Sequence, residues 1–302
     1  MQQENPDPAT SAHHCLPLPI VRSGPGSQTE AEPLSYLRMP QGMATYRAPI
    51  LPEPAELVQL TAALATLRAL HGALLRVAQT GAAEVISLAD LPGDDLRLVA
   101  QVLAEGEVSA LVRPRGTGSV SLHVQEAGLT GVFRVVEVAS DGAVRDHLEV
   151  SALPSVLIEQ AARDGLVRGA EFDACASPEG LMNAPAILSE LRAHWRSGTD
   201  ASATPHVINL SLLPLSEADA RYLDAELGRG TVTLLSRGYG NCRISSTERP
   251  ATWRVTYYNS EDAVILDTLE VSRVPEVACA ARQDLEESAL RLAELLAWLE
   301  QT

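Results

Sequence analysis

Hydrophobic residues recur along this chain with two different spacings. Between residues 57 and 78 they return every three or four positions, which predicts a helix that begins after Pro54 and ends at Gly81. A similar spacing after Asp284 predicts a helix at the end of the chain. Elsewhere β-branched and aromatic residues alternate with polar ones over short runs, which predicts strands joined by turns. The first helical stripe consists of Leu57, Leu60, Leu64, Leu67, His71, Leu74 and Ala78.

The sequence also matches itself in four places, always in the same order. The matched segments lie 120 to 124 residues apart, and this drift is what small loop insertions would produce. We interpret the matches as an internal duplication. The pairs are VISLADLP at 85–92 with VINLSLLP at 207–214, GEVSALVR at 106–113 with GTVTLLSR at 230–237, VFRV at 132–135 with TWRV at 252–255, and LEVS at 148–151 with LEVS at 269–272.

Each repeat is predicted to contain a helix, a strand, a second helix, four strands and a closing helix. Successive hairpins indicate an antiparallel meander, so the fold class is α+β with two tandem repeats of a helix plus a meander sheet. Asn183 is the predicted cap of the helix that opens the second repeat, and Ser216 with Asp219 caps the next one. The predicted strands are 108–114, 119–126, 131–139 and 145–151, then 231–237, 242–247, 252–259 and 263–272.

Four regions follow from these patterns. We expect an extended or disordered N-terminal arm over residues 1–53, a first repeat over 54–163, a linker over 164–181 and a second repeat over 182–302. The arm is rich in Pro, Gly, Ser and Gln, which is typical of a segment that buries too little surface to fold alone. It also holds apolar anchors such as Tyr46, so it is either a loose tail or a segment that docks on its own domain or a partner.

Composition narrows the class of protein. The 302 residues carry 23 basic and 39 acidic side chains, a formal charge of −16, and such a chain repels both the nucleic-acid backbone and anionic membranes. No apolar run reaches the about 18–20 residues that span a bilayer, and no signal peptide opens the chain. We therefore expect a cytoplasmic protein that does not insert into membranes.

The segment SRGYGNCRI at 236–244 is the most unusual string, and its counterpart is VRPRGTGSV at 112–120. Matching the two strings pairs Arg113 with Arg237 and Cys242 with Gly118. Cys242 is either a small packed strand residue or a thiolate whose pKa is lowered by a neighbouring arginine, able to bind metal or form a transient disulfide. The four cysteines lie far apart with no CxxC pair, which indicates reduced thiols.

Nothing in the carboxylates or histidines predicts catalysis. Glu149 and Glu270 recur in both repeats, so we expect structural roles, in pairs with Arg134 and Arg254 on the neighbouring strands. The sequence holds no nucleophile elbow, phosphate-binding loop or zinc-protease motif. The chain is therefore predicted not to be an enzyme.

Several strings together resemble a known family. They are GPGSQ at 24–28, GMATYR at 42–47, NAPAIL at 183–188, LLPL at 212–215, SRGYGNCRI at 236–244, YYNS at 257–260, and LEV at 269–271 with PEV at 275–277. From about residue 17 onward the chain resembles the HupH/HyaF proteins and their relative HoxQ, which are nickel–iron hydrogenase expression proteins.

The resemblance implies a chaperone-like maturation factor without a cofactor. Its implied partners are the precursor of the iron–sulfur small subunit, bound before export, and a second small accessory protein. An acidic surface suits a basic client segment such as an arginine-bearing leader. The alternatives are a carrier of a metal or a transient iron–sulfur cluster that uses Cys242, and a thiol enzyme. The expected partner-binding residues are Arg237, Gly238, Tyr239, Gly240, Asn241, Cys242 and Arg243, with Tyr46 and Arg47 in the arm.

Overall fold

A computed structural model of the chain describes residues 60–113, 115–116, 120–171, 180–197, 204–237 and 240–300. The predicted arm over residues 1–53, with Tyr46 and Arg47, lies outside these ranges. Within them, no helix has both the length and the apolar composition that crossing a membrane requires.

The described residues form an α+β structure of six α-helices and ten strands, as the spacing predicts. Every predicted strand bound lies within two residues of the observed one. The first half comprises α1 (Thr61–Thr80), β1 (Glu84–Ser87), α2 (Gly93–Leu103), β2 (Val108–Val112), β3 (Ser121–Glu126), β4 (Val132–Val138), β5 (Val144–Val150) and α3 (Ser155–Gly165). The second half comprises α4 (Ala184–Ser197), β6 (His206–Asn209), α5 (Glu217–Leu227), β7 (Val232–Ser236), β8 (Asn241–Ser246), β9 (Thr252–Tyr258), β10 (Val264–Val271) and α6 (Arg282–Glu300).

All ten strands join one antiparallel sheet in the order β1-β5-β4-β3-β2-β7-β8-β9-β10-β6. The two halves meet where β2 pairs with β7, and the centre of that pairing is Ala110 opposite Leu234. The backbone N–H of Arg113 donates to Thr231 O at 3.0 Å, and that of Arg237 donates to Glu107 O at 3.2 Å. An equivalent backbone hydrogen bond therefore closes each end of the β2–β7 pair, and the sheet runs without a break from one half to the other.

Apolar side chains pack in three clusters on the two faces of the sheet. On one face, α1, α2 and α6 cover β5, and α4 and α5 cover β6 and β10 at the opposite end. On the other face, α3 packs against β7 and β8 over the central cluster. The helix that closes each half thus contacts the other half, because α3 lies on second-half strands and α6 packs against α1.

Buried carboxylates cap the helices that open each half. The Asp95 carboxylate accepts the N–H of Ala63 at 2.7 Å in α1. In the second half, Asp219 accepts the N–H of Ala184 at 3.0 Å and completes the predicted capping box with Ser216. The sequence assigns the α4 cap to Asn183, but the Asn183 side chain instead donates to Pro214 O at 2.7 Å. A carboxylate from a neighbouring helix provides the negative charge that α4 needs.

The predicted ion pairs of Glu149 and Glu270 are wrong. Arg134 pairs with Asp146, and Arg254 pairs with Asp267 and with Asp224 of α5. Because Arg134 lies opposite Leu148 in the register, the next residue, Glu149, points to the other face of the sheet. There the Glu149 carboxylate accepts the N–H of Ser155 at 2.8 Å at the start of α3.

Candidate functional site

The centre of the sheet presents a polar surface on the face whose two ends are covered by helices. There the strands β3, β2, β7 and β8 carry half-buried side chains that belong to none of the three apolar clusters. The helices α1 and α4 pack on outer strands and flank this surface from both sides. We call it the central trough. Its side chains are Leu111, His123, Thr233, Leu235, Arg243 and Ser245.

The trough exists because side chains alternate between the faces of a strand. In each of these four strands, the residues that alternate with the trough residues point to the other face, where they are buried under α3 and the adjoining loops. Examples are Ala110, Leu122, Leu234 and Ile244. One face of the central strands is therefore a core, and the other carries half-buried side chains that lie outside the three apolar clusters of the described residues.

The predicted partner-binding string begins at the end of β7 and enters β8. Arg237 is exposed after β7, and Gly240 is exposed with φ +99° just before β8. A Cβ on Gly240 would meet no neighbour, so glycine is required there by the backbone angle and not by space. Asn241 opens β8 opposite Tyr258. Gly238 and Tyr239 lie outside the described residues.

Arg243 reaches into the trough and is its main charged group. It lies opposite Leu235 on β7 and Thr256 on β9, and its side chain is hydrogen-bonded to Tyr258. Burial lowers its pKa, and the charges of Arg113 and Arg229 lower it further. These two arginines, which are exposed, were not among the predicted partner-binding residues.

Cys242 points to the opposite face from Arg243, into the core under α3. It is 4% exposed, and burial raises the pKa of its thiol to about 11 although the thiol is hydrogen-bonded to Tyr257. Of the two interpretations of Cys242, the packed strand residue is therefore confirmed, and the thiolate activated by a neighbouring arginine is wrong, because adjacent strand residues face opposite sides. Cys279 touches the same cluster, and burial also raises its pKa. At neutral pH both thiols are protonated and packed.

The strand register also corrects the predicted match between Cys242 and Gly118. Cys242 lies opposite Ser236 and Tyr257, and Leu122 holds the same place between Val112 and Glu137 in the first half. Cys242 therefore corresponds to Leu122, and Arg243 corresponds to His123. The connection from β2 to β3 is longer than the one from β7 to β8, and this length difference shifts the match.

A buried carboxylate that was not predicted joins the two halves on the face opposite the trough. Asp164, at the end of α3, is 2% exposed and accepts the N–H of Thr231 at 2.6 Å and the hydroxyl of Ser246 at 2.8 Å. Gly230 packs so closely that a Cβ would overlap the Ser246 hydroxyl and approach the Asp164 carboxylate. No local sequence signal marks this contact, because its members come from different elements.

A cleft of about 230 Å³ lies between α5 and the strands β9 and β10. Leu210, Leu223 and Leu269 are among the apolar residues of its lining. Its charged residues, Arg254 with Asp224 and Asp267, are bound to one another. Within the described ranges, no group of three His, Cys, Asp or Glu side chains is placed to hold a metal ion.

These features define a class: an α+β protein built on one continuous antiparallel sheet, with a broad polar surface at its centre. Comparison with known proteins identifies the family. The model of the family described as HupH hydrogenase expression protein, C-terminal conserved region, matches the chain twice, over residues 60–171 and 181–299. The chain belongs to this family of hydrogenase expression proteins.

Three curated relatives match the chain over more than nine-tenths of its length. The hydrogenase expression/formation protein HoxQ of Cupriavidus necator is 47% identical, covering 94% of this chain and 98% of the relative. The hydrogenase expression/formation protein HupH of Rhodobacter capsulatus is 42% identical, covering 92% and 96%. The hydrogenase-1 operon protein HyaF of Escherichia coli is 31% identical, covering 91% and 95%.

Proposed function

We propose that this protein is a non-catalytic accessory protein in the maturation of a nickel–iron uptake hydrogenase. In this proposal it holds the precursor of the iron–sulfur small subunit in the cytoplasm before export, together with a second small accessory protein. The support comes from the family, whose members are named as hydrogenase expression and formation proteins.

The observation that carries the binding role is the central trough. It is a half-buried surface that crosses four strands and joins the two halves. A surface of this kind suits contact with another polypeptide, whereas small ligands are usually held in concave pockets lined by converging polar groups.

We further propose that the two halves arose by duplication. The same family model matches both, and both contain the same order of helices and strands. The pairing of β2 with β7 would then be the contact that fused two like units edge to edge. Fusion removes two exposed sheet edges, which lowers the risk of uncontrolled strand pairing.

The test is co-purification from cells that express the hydrogenase structural subunits. Tagged protein is expected to recover the small-subunit precursor and not the large subunit. The substitution Thr233→Arg places a large, charged side chain in the trough and is expected to reduce recovery of the precursor. The matched control is Glu261→Arg, because Glu261 is exposed on a loop. Recovery of the large subunit alone, or equal recovery by both variants, would contradict the proposal.

A second measurement tests the contribution of net charge. If the charge of −16 attracts a basic client segment, the yield of precursor falls as salt rises through the range where screening becomes strong. A yield independent of salt would remove this electrostatic part of the proposal while leaving the trough contact in place.

A further inference from the structure

We propose that an exposed apolar surface at the outer end of the second half binds a partner segment in which aliphatic residues are flanked by basic ones. We call this surface the aliphatic patch, and it consists of Leu212, Leu213, Val264 and Ile265. It lies at the β10–β6 end of the sheet, and none of its residues belongs to the central trough. The inference rests on the proposed function, because that function needs a contact for a second partner beside the precursor in the trough.

Hydrogen bonding brings the four residues together. Leu212 and Leu213 follow β6 in a short 3₁₀ turn, and the other two residues open β10. The Ser211 hydroxyl accepts the N–H of Asp267 at 2.8 Å and holds this turn against β10. The two leucines therefore lie beside the start of β10, and all four patch side chains are exposed.

The patch is continuous with the cleft between α5 and the strands β9 and β10. Val264 belongs to both, because it is exposed and also lines the cleft. Leu210 and Leu215, on either side of the patch leucines in the sequence, line the cleft as well. An apolar cavity of ~150 Å³ holds one benzene molecule. The cleft, at about 230 Å³, is therefore large enough for an aliphatic side chain inserted by a partner.

The first half provides an internal comparison, because its matching corner lacks two of these side chains. When VISLADLP at 85–92 is matched with VINLSLLP at 207–214, Leu212 corresponds to Asp90. Ile265 has no counterpart, since β10 bulges between Val264 and Leu266, whereas β4 and β5 pair without a bulge. The first half folds without either aliphatic group, so the fold does not require Leu212 at 79% exposure or Ile265 at 62%. Bulges are frequent beside functional sites, where they redirect a side chain.

Carboxylates border the patch and the cleft and determine the charge that an occupant needs. Asp224 and Asp267 line the cleft, and Arg254 is paired with both, so one negative charge of this group is not neutralised within it. The turn between β9 and β10 adds Glu261 and Asp262 next to the start of β10. Apolar surfaces rimmed by polar residues are typical of protein contacts, and complementary charge selects the partner. Basic residues beside an aliphatic anchor fit this rim.

Two other occupants fit the patch less well. In a symmetric dimer, a second copy of the chain would bring the same carboxylates against each other. The arm over residues 1–53 carries five acidic and three basic side chains, so its net charge has the same sign as the rim. A partner segment with both aliphatic and basic residues matches the cleft and the rim together.

The probe is the fluorescein-labelled peptide KKALLALLKK, titrated with the full chain and followed by fluorescence anisotropy. We expect saturable binding. Two matched peptides, EEALLALLEE and KKASSASSKK, remove the basic and the aliphatic residues in turn. Each is expected to bind at least ~10-fold more weakly, since burying one leucine side chain, or placing like charges together, changes affinity by at least this factor.

The double variant Leu212→Asn, Ile265→Asn removes two aliphatic groups of the patch without changing the net charge. It is expected to bind KKALLALLKK at least ~10-fold more weakly than the native chain does. The matched control is Leu166→Asn, Leu290→Asn, because these leucines are 79% and 67% exposed on other surfaces. The control is expected to bind like the native chain. Urea denaturation checks that each protein is folded, and Leu212→Asn alone replaces the double variant if that variant is not.

Three outcomes would overturn the inference. The first is equal peptide affinity in the patch variant and the control, and the second is binding of EEALLALLEE as tight as that of KKALLALLKK. The third is evidence for another occupant. Displacement of the probe by a synthetic peptide of residues 1–53 would assign the patch to the arm, and a native dimer that the patch variant dissociates would assign it to a second copy.

Co-purification of the small-subunit precursor with the same proteins separates this inference from the proposed function. If the native chain recovers no precursor but binds KKALLALLKK through the patch, the proposed function fails and the aliphatic patch stands. If the precursor is recovered but the peptide binds the native chain and the patch variant equally, the inference fails and the proposed function stands.

Discussion

The buried carboxylate of Glu126 makes the stability of the fold depend on pH near neutrality. Glu126 ends β3 and is 5% exposed, and its carboxylate accepts the N–H of Gly131 at 3.2 Å. Burial, together with the nearby charges of Glu107 and Asp284, raises the pKa of this group from 4.5 to about 7. The folded chain therefore binds this proton more tightly than the unfolded chain does.

The magnitude follows from linkage. A pKa of about 7 in the folded state against 4.5 in the unfolded state is a difference of about 2.5 units, which corresponds to about 3 kcal/mol. This stabilisation is fully present below the unfolded pKa and is lost as pH rises through the folded one. Between pH of about 5 and 8 the native chain should therefore lose most of it.

The substitution Glu126→Gln keeps the shape and the acceptor but removes the titration. We expect its free energy of unfolding, measured by urea denaturation, to rise relative to the native chain by about 2–3 kcal/mol between pH of about 5 and 8.5. The difference between the two proteins is the quantity to follow, because other groups titrate in both. The control is Glu261→Gln on an exposed loop. Native and Glu126→Gln stability curves that run parallel across this range would refute the reasoning.

Three further predictions concern packing. Gly131→Ala forces a side chain at φ +82° into Leu285 of α6 and should lower the free energy of unfolding by about 3 kcal/mol or more, measured by urea denaturation. The control Gly142→Ala, at φ +85° in open space, should lower it by only about 1 kcal/mol. Equal losses for the two variants would show that α6 does not pack against Gly131. Asp164→Ala removes the acceptor of the buried Thr231 N–H and Ser246 hydroxyl and should lower the free energy of unfolding by about 3 kcal/mol; a loss under about 1 kcal/mol would contradict this. In a chain with its other cysteines changed to serine, Cys242 should react with a thiol reagent only as fast as the protein opens, and reaction at the rate of a free thiol would contradict its burial.

Local patterns in the sequence were sufficient to predict the secondary structure and failed for contacts that depend on strand register. The strands were predicted because alternation is a property of neighbouring residues. The pairing of Glu149 with Arg134 was wrong because a one-residue difference in register places a side chain on the other face. The match of Cys242 to Gly118 failed for a related reason, since loop length and not residue similarity sets where a strand resumes.

The candidate site shows the same division. The sequence singled out Arg243 through an unusual string, but not Arg113, which the pairing of β2 with β7 brings into the same sheet. The sequence also drew attention to Cys242 as a candidate reactive thiol, and only its burial in the structure shows that the side chain is part of the packed core. Burial and charge proximity are properties of the folded chain as a whole.

The sequence by itself determined the order of the helices and strands, the likeness of the two halves and the family, because each of these is carried by residues close together along the chain. Only the tertiary structure decided that the halves share one sheet, that α3 and α6 each pack on the other half, and that a polar trough remains at the centre. The physical reason is that pairing β2 with β7 joins segments more than a hundred residues apart. Such a contact is selected by the free energy of burying both halves together and leaves no local pattern in the sequence.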